Sequence, residues 1–231
     1  MVSAPEGYQL WAPTYDQDPN PLLALEQRSL TSLLPCVAGK DILDVGCGTG
    51  RWLEMLLKLG ARTAAGIDLS PAMLFQAGRK TLLQMRLVRG DCLKLPFQSA
   101  MADLIVCSFA LSHIPDVEAL ARELARVARP HADCYLTDLH PSALTSGWRT
   151  GFRHAGGAVT IFNFPHSFGQ VRDAFEVQDF KLVRFLEPCL AEPERAIFVQ
   201  TQRAHRFDEV SRIAAVLICH FQRLRSTRET S

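Results

Sequence analysis

One stretch of nine residues constrains this chain more than any other: Ile42-Leu43-Asp44-Val45-Gly46-Cys47-Gly48-Thr49-Gly50. An apolar run too short for a helix passes directly into alternating glycines, and a helical pattern opens at Arg51. Strand, bare-backbone turn and helix in that order begin a βαβ unit, which commits the chain to a parallel sheet with right-handed crossovers. The glycines permit a tight turn and close approach of a ligand to the main chain. The N-terminus of the helix that follows can receive a negative group, here a carboxylate rather than a pyrophosphate. Further on, Asp68 ends the second predicted strand, where an acidic side chain can accept hydrogen bonds from both hydroxyls of a ribose.

Those features alone also suit a nicotinamide-binding protein. The spacing argues against it. A dinucleotide fingerprint needs glycine at position 51, as in GxGxxG, and the residue there is Arg51 in a GxGxG run.

Alternation of strand and helix continues along the chain. Strands are expected at Ile42–Val45, Thr63–Asp68, Arg86–Gly90, Leu104–Cys107 and Cys134–Thr137, with helices over Arg51–Leu59, from Pro71, and over Val117–Ala128. Residues 1–20, rich in Pro, Asp and aromatics, read as an irregular arm, and Leu22–Leu34 as a helix ending before Pro35. Beyond the fifth strand the alternation loosens. Val159–Phe164 reads as an extra strand in an insertion and Phe168–Glu176 as a helix. Phe180–Leu186 and Ala196–Gln202 read as the last two strands. In Asp208–Leu224, Val210, Ile213, Leu217, Phe221 and Leu224 share one helical face, which predicts a C-terminal helix packed on the core or on a second copy. The basic stretch Arg223–Arg228 reads as its solvated end.

Composition narrows the function classes. A net charge of +1 recruits neither nucleic acid nor an anionic membrane. The seven cysteines form no CxxC or Cys/His zinc spacing, so no metal site is expected and a reducing, cytoplasmic setting is. The first ten residues lack a signal-peptide pattern, and no apolar run reaches membrane-span length.

The stretch from Ile42 to Gly50 resembles the first motif of class I S-adenosylmethionine-dependent methyltransferases, and Gly66-Ile67-Asp68-Leu69-Ser70 with Met73 resembles their second-strand motif. Gly90-Asp91-Cys92 with Leu95-Pro96-Phe97 is similar to their adenine-binding turn. Phe109–Asp116 is similar to the segment after their fourth strand, and Leu124–Pro130 to the helix and turn before the fifth. A weaker resemblance, through His166-Ser167-Phe168, Asp179-Phe180 and Glu187-Pro188, is to small-molecule members of the methyltransferase type 11 kind. Those are related to quinone-biosynthesis and malonyl-carrier-protein methyltransferases. The resemblance implies an α/β fold: one Rossmann-like domain with a seven-stranded, mostly parallel sheet and flanking helices. It divides as an N-terminal arm (1–38), a cofactor core (39–140), an acceptor lid inserted after strand five (141–178), and final strands with a C-terminal helix (179–231). It implies S-adenosylmethionine as cofactor. Gly46, Gly48 and Ser108 would line its methionine part, Asp68 would bind the ribose, and Leu69 and Met73 would flank the adenine. Asp91 and the Cys92 backbone would meet the adenine amine, and Tyr15 would cover the whole.

On the acceptor side three histidines are candidate general bases: His113 after the fourth strand, His140 after the fifth, and His166 at the start of the Phe168 helix. Trp11, Trp148 and Phe152 suit a lid over a flat or apolar small molecule, and Arg149 and Arg153 could receive an acidic group on it. Phe109-Ala110-Leu111 stands where amide- and base-methylating enzymes carry an Asn-Pro-Pro-Tyr type motif, which disfavours those acceptors. A small-molecule methyltransferase, monomeric or homodimeric, is the reading. The alternatives are a carboxyl O-methyltransferase on a carrier-bound acid and a non-catalytic S-adenosylmethionine-binding scaffold.

Overall fold

The computed structural model describes residues 1–225. Two helices, α1 (Ala4–Trp11) and α2 (Pro21–Thr31), precede the sheet. Then come β1 (Asp41–Val45), α3 (Arg51–Lys58), β2 (Thr63–Asp68), α4 (Pro71–Gly78), β3 (Leu87–Arg89), β4 (Ala102–Ser108), α5 (Val117–Val127) and β5 (Ala128–Leu139). The insertion after β5 holds α6 (Pro141–Thr145) and the hairpin β6 (Gly151–His154) and β7 (Gly157–Thr160). After it come α7 (Phe168–Glu176), β8 (Phe180–Leu186), α8 (Glu192–Gln200), α9 (Phe207–Val210) and β9 (Val216–Arg223).

The main sheet has seven strands in the order β3-β2-β1-β4-β5-β9-β8, with β9 antiparallel to both neighbours and the other pairings parallel. Alternate residues of the central strands feed two cores. Leu43, Ile105, Leu136 and Phe221 pack with α5 and α7 on one face. Ile42, Leu104, Tyr135 and Ile218 pack with α2, α3, α8 and α9 on the other. The order reverses between β1 and β4, and a crevice opens beyond their carboxyl ends, where ligands of such sheets bind.

Four expectations need correction. The N-terminal arm contains α1, started by a capping box in which the Ser3 hydroxyl accepts from the Glu6 N–H and the Glu6 carboxylate accepts from the Ser3 N–H. The insertion carries a two-stranded hairpin, β6–β7, in place of one strand over 159–164. Residues 192–200 are helix, because Pro193 in the first turn, Glu192 and Glu194 at the N-terminus outweigh the β-like run Ala196–Val199. The expected C-terminal helix is β9, a strand buried between β5 and β8 on both faces. The basic stretch begins at the end of that strand, and its residues 226–228 lie outside the described residues. No helix among the described residues is long and apolar enough to cross a membrane.

Candidate active site

The turn after β1 needs positive φ at Gly46 (+71°), where a side chain would also bring a Cβ within 2.6 Å of the Ala110 Cβ. The next glycine, Gly48, has φ +54° and nothing within 4 Å of a hypothetical Cβ, because it faces open space. That space is a cavity of about 340 Å³ at the carboxyl ends of β1, β2, β3 and β4, within the size range of small-molecule sites.

All nine residues expected to hold a cofactor line this one cavity: Tyr15, Gly46, Gly48, Asp68, Leu69, Met73, Asp91, Cys92 and Ser108. Asp68 is the hinge of the arrangement. One carboxylate oxygen accepts from the Gly48 N–H at 2.8 Å and the other from the Ser70 N–H at 2.7 Å, so it binds the glycine turn to the start of α4. Each oxygen keeps a further lone pair for a ligand hydroxyl. Burial raises the Asp68 carboxyl above its ordinary value, and those two N–H donors oppose the shift. Burial likewise pushes Asp44, beneath the turn, up to about 7. Asp91 lies at the exposed rim and accepts from the Leu93 N–H at 2.9 Å through one oxygen.

The three histidines separate. His113 lines the cavity, whereas His140 and His166 do not. His140 caps α6, accepting from the Ser142 N–H, and its Nε2 meets Glu187 at 2.8 Å. His166 donates from Nε2 to the Ile114 carbonyl at 2.7 Å, fastening the chain before α7 to the segment after β4. The His113 Nε2 lies 2.8 Å from the Tyr8 hydroxyl, and its Nδ1 is buried without a hydrogen-bond partner among the described residues. Burial lowers the imidazole below its ordinary value, with the buried Asp138 charge pulling the other way. Asp138 is held by the Ser112 and Leu139 N–H groups, each at 2.6 Å. Beside them Phe109 holds φ +51°, a strained backbone for a phenylalanine and one that clusters at ligand sites.

Helix α1 and the β6–β7 hairpin pack as one unit, of which only α1 lines the cavity; the insertion 141–178, expected as the acceptor lid, contributes no lining residue. Val2 exchanges main-chain hydrogen bonds with the end of the hairpin at Thr160 and Phe162. Gly7 lets the helix lie against Ile161, with room for no side chain: a Cβ would stand 2.5 Å from the Ile161 Cγ1. Trp11 stacks on Phe152 at 4.8 Å. Those two expected lid aromatics therefore make that unit's own core, and the residues α1 turns to the cavity are Ala4, Pro5 and Tyr8. Trp148 packs on the α2–α3 face, away from the cavity. Arg149 and Arg153 are exposed, donate to nearby main-chain carbonyls, and do not line it. The N-terminal segment is latched to the glycine turn: the Asp16 carboxylate accepts from the Thr49 hydroxyl and meets the Lys80 ammonium at 3.0 Å.

Sequence reasoning missed Tyr8. The signal was present: Ser3-x-x-Glu6 with Pro5 marks a helix start, and aromatics at 8, 11 and 15 then share a face.

Residues 42–131 match the methyltransferase-domain family. Over 97 residues the chain is 38% identical to the demethylmenaquinone methyltransferase of Staphylococcus saprophyticus, a match covering 40% of this chain and 42% of that protein. The chain thus spans about two fifths of the length of the curated relatives it matches. Crystal structures of an S-adenosylmethionine-dependent methyltransferase from Mesorhizobium loti (TM-score 0.69, 22% identity) and of a putative one from Listeria monocytogenes (0.70, 18%) each cover 88% of this chain, and this chain covers 100% of each. The chain has the class I S-adenosylmethionine-dependent methyltransferase fold. Residues 42–131, which carry the motifs between Ile42 and Pro130, are thus similar to a methyltransferase domain.

Proposed function

We propose that this protein transfers a methyl group from S-adenosylmethionine to an uncharged small molecule that carries a protic group, with His113 as general base. The observation that carries the reading is the single cavity in which Gly48, Asp68, Asp91 and the His113–Tyr8 pair meet. The residues fit the cofactor. Gly48 leaves room above the turn, Asp68 has lone pairs for the ribose hydroxyls, and Asp91 has a free oxygen at the rim for an adenine amine.

When bound, the cofactor supplies an electrophilic methyl on a sulfonium, so the chain's work is to align the acceptor and take its proton. The acceptor end of the cavity, at Pro5, Tyr8, Ala110, His113, Ile114 and Pro115, has His113 as its one titratable group besides the Tyr8 hydroxyl, and no carboxylate, lysine or arginine. Burial keeps His113 neutral and able to accept a proton. The Tyr8 hydroxyl donates to Nε2, receives the acceptor's proton on its oxygen, and passes its own proton to the imidazole. Asp138 then stabilises the imidazolium.

The placement of Arg149 and Arg153 outside the cavity favours an uncharged acceptor over a carrier-bound acid. By name, the curated relatives methylate demethylmenaquinone, a small molecule. The test is incubation with S-adenosylmethionine labelled in its methyl group and a metabolite extract. Label is expected in a neutral small molecule. Label in a carrier-bound acid would return the carboxyl alternative, and saturable cofactor binding without any transfer would favour the scaffold.

A further inference from the structure

We infer that Asn163, in the insertion, is a positioning residue for His113: its side-chain oxygen takes the imidazole Nδ1–H, directly or across one buried water, and so keeps Nε2 bare toward Tyr8. The inference rests on the general-base reading above and deepens it. Nearly every buried polar atom of a folded protein is paired. Among the described residues two buried side-chain polar atoms have no hydrogen-bond partner, the His113 Nδ1 and the Asn163 Oδ1. One is a donor and the other an acceptor. With Nε2 accepting from the Tyr8 hydroxyl at 2.8 Å, Nδ1 carries the proton of the neutral ring.

The surrounding network fixes which way the Asn163 amide points. Ser112 meets Asp138 twice: its main-chain N–H donates at 2.6 Å, and its hydroxyl also stabilises the Asp138 charge. The hydroxyl proton therefore goes to the carboxylate, and the hydroxyl oxygen accepts from the Asn163 Nδ2 at 2.8 Å. The second Nδ2 hydrogen goes to the Thr150 hydroxyl oxygen at 3.2 Å. Both donors of the amide are thus used, and Oδ1 is left as a free acceptor.

The main chain holds Asn163 at this place. The Ile161 N–H donates to the Thr150 carbonyl at 2.9 Å, the Phe162 N–H to the Val2 carbonyl at 2.9 Å, and the Phe164 N–H to the Ser112 carbonyl at 2.7 Å. The Phe162 carbonyl faces the imidazole and favours its charged form, without the alignment of a hydrogen bond to Nδ1. Residues 162 and 163 therefore lie against 112 and 113, which brings the unpaired donor and the unpaired acceptor to one contact. The other groups that act on the ring are Tyr8 from α1, Asp138 from β5 and Asp68 from β2. His166 binds the neighbouring Ile114 carbonyl instead of the ring. A neutral imidazole can hold its proton on either nitrogen, and the bond at one nitrogen decides the state of the other. Only the Nδ1–H form leaves Nε2 able to take a proton from Tyr8. Asn163 does not line the cavity, so it acts on the reaction through His113 alone.

The experiment is nuclear magnetic resonance of protein labelled with nitrogen-15 in its histidine rings, with His113 assigned by its loss in His113→Gln. The wild type should show Nδ1 protonated and Nε2 bare. Asn163→Ala should mix the two tautomers and lower the titration midpoint of the ring by about half to one pH unit, because an acceptor that favours the imidazolium is lost. Asn163→Asp should keep Nδ1–H and raise the midpoint by about one pH unit or more. A residue that only ties the insertion down would lower the melting temperature in both variants without moving the midpoints in opposite directions. An Nε2–H ring in the wild type overturns the inference without any variant having to fold, as do midpoints that fail to rise in the order Asn163→Ala, wild type, Asn163→Asp. Transfer of labelled methyl into a metabolite extract separates this result from the reading beneath it. Undiminished transfer in His113→Ala would overturn the general base, and the positioning role of Asn163 with it, whatever the tautomer.

Discussion

The two halves of the main sheet are built differently. From β1 to β5 all strands run parallel, the chain stepping outward to β3 and then crossing back past β2 and β1 to β4, and every residue assigned to cofactor or proton transfer lies on this side or on the N-terminal segment above it. From residue 141 the chain first builds the insertion, then adds β8 at the far edge, and finally inserts β9 backwards between β5 and β8. The difference teaches that the candidate site is built from the strand ends at the switch point, while the second half of the sheet supplies width and core. Phe175, Phe180 and Phe221 show this: they pack ring to ring, with Phe175 and Phe221 centroids 4.7 Å apart, and none lines the cavity.

The sharpest way to break this division is at His113. His113→Ala should lower single-turnover methyl transfer about 10²–10⁴-fold while leaving cofactor affinity unchanged, since Asp68 and Asp91 sit on other strand ends. Wild-type turnover in that variant would leave catalysis to orientation alone. The pH profile sharpens the same point. A base works when unprotonated, and burial lowers the His113 imidazole. The rate should therefore stay level as pH falls through the ordinary histidine value near 6.5 and drop only below it. A midpoint above that value would contradict the buried pair.

On the other half of the sheet, Phe221→Ala should cost about 3–5 kcal/mol of stability, read as a lower denaturation midpoint. Transfer per folded molecule should persist. A selective loss of cofactor affinity there would show that the two halves are not separate in function. The unit of α1 and the hairpin offers a smaller effect. Gly7→Val puts a side chain into Ile161, and overpacking of this kind costs about 1–3 kcal/mol. That cost should appear as weaker acceptor binding and faster proteolysis of the N-terminal segment, with the melting of the sheet little changed. The smallest effect is expected at His140. Loss of its cap on α6 should cost about 1 kcal/mol and leave turnover unchanged.

The same division explains what could be read from sequence. Thr63–Asp68, Phe168–Glu176 and Phe180–Leu186 form the elements their patterns predict, because local period and tertiary position agree there. In the last third they compete. Ala196–Val199 is apolar and rich in branched side chains, yet Pro193 and the acidic first turn start a helix. Residues 216–223 are buried on both faces, and a continuous apolar run carries no period of two, so chance spacing imitates a helical face. In the site, the glycine turn, Asp68, Asp91 and His113 were legible because motif and geometry coincide. The bracket in which the Glu26 carboxylate accepts from Arg51, Trp52, Ser108 and Thr137 was not. The residues it joins, Glu26 included, come from four separate elements, and no local pattern records such a pairing.

The central claim is that the glycine turn and Asp68 form a site for S-adenosylmethionine. Its most direct test is calorimetric titration of the wild-type protein and of Asp68→Ala. Saturable binding of S-adenosylmethionine, with none of NAD, is predicted for the wild type. The variant should lose about 2–4 kcal/mol of that affinity, because charge-assisted hydrogen bonds to the ribose are removed and the Gly48 and Ser70 N–H groups lose their shared acceptor. Unchanged affinity in Asp68→Ala, or binding of NAD in place of S-adenosylmethionine, would contradict the account.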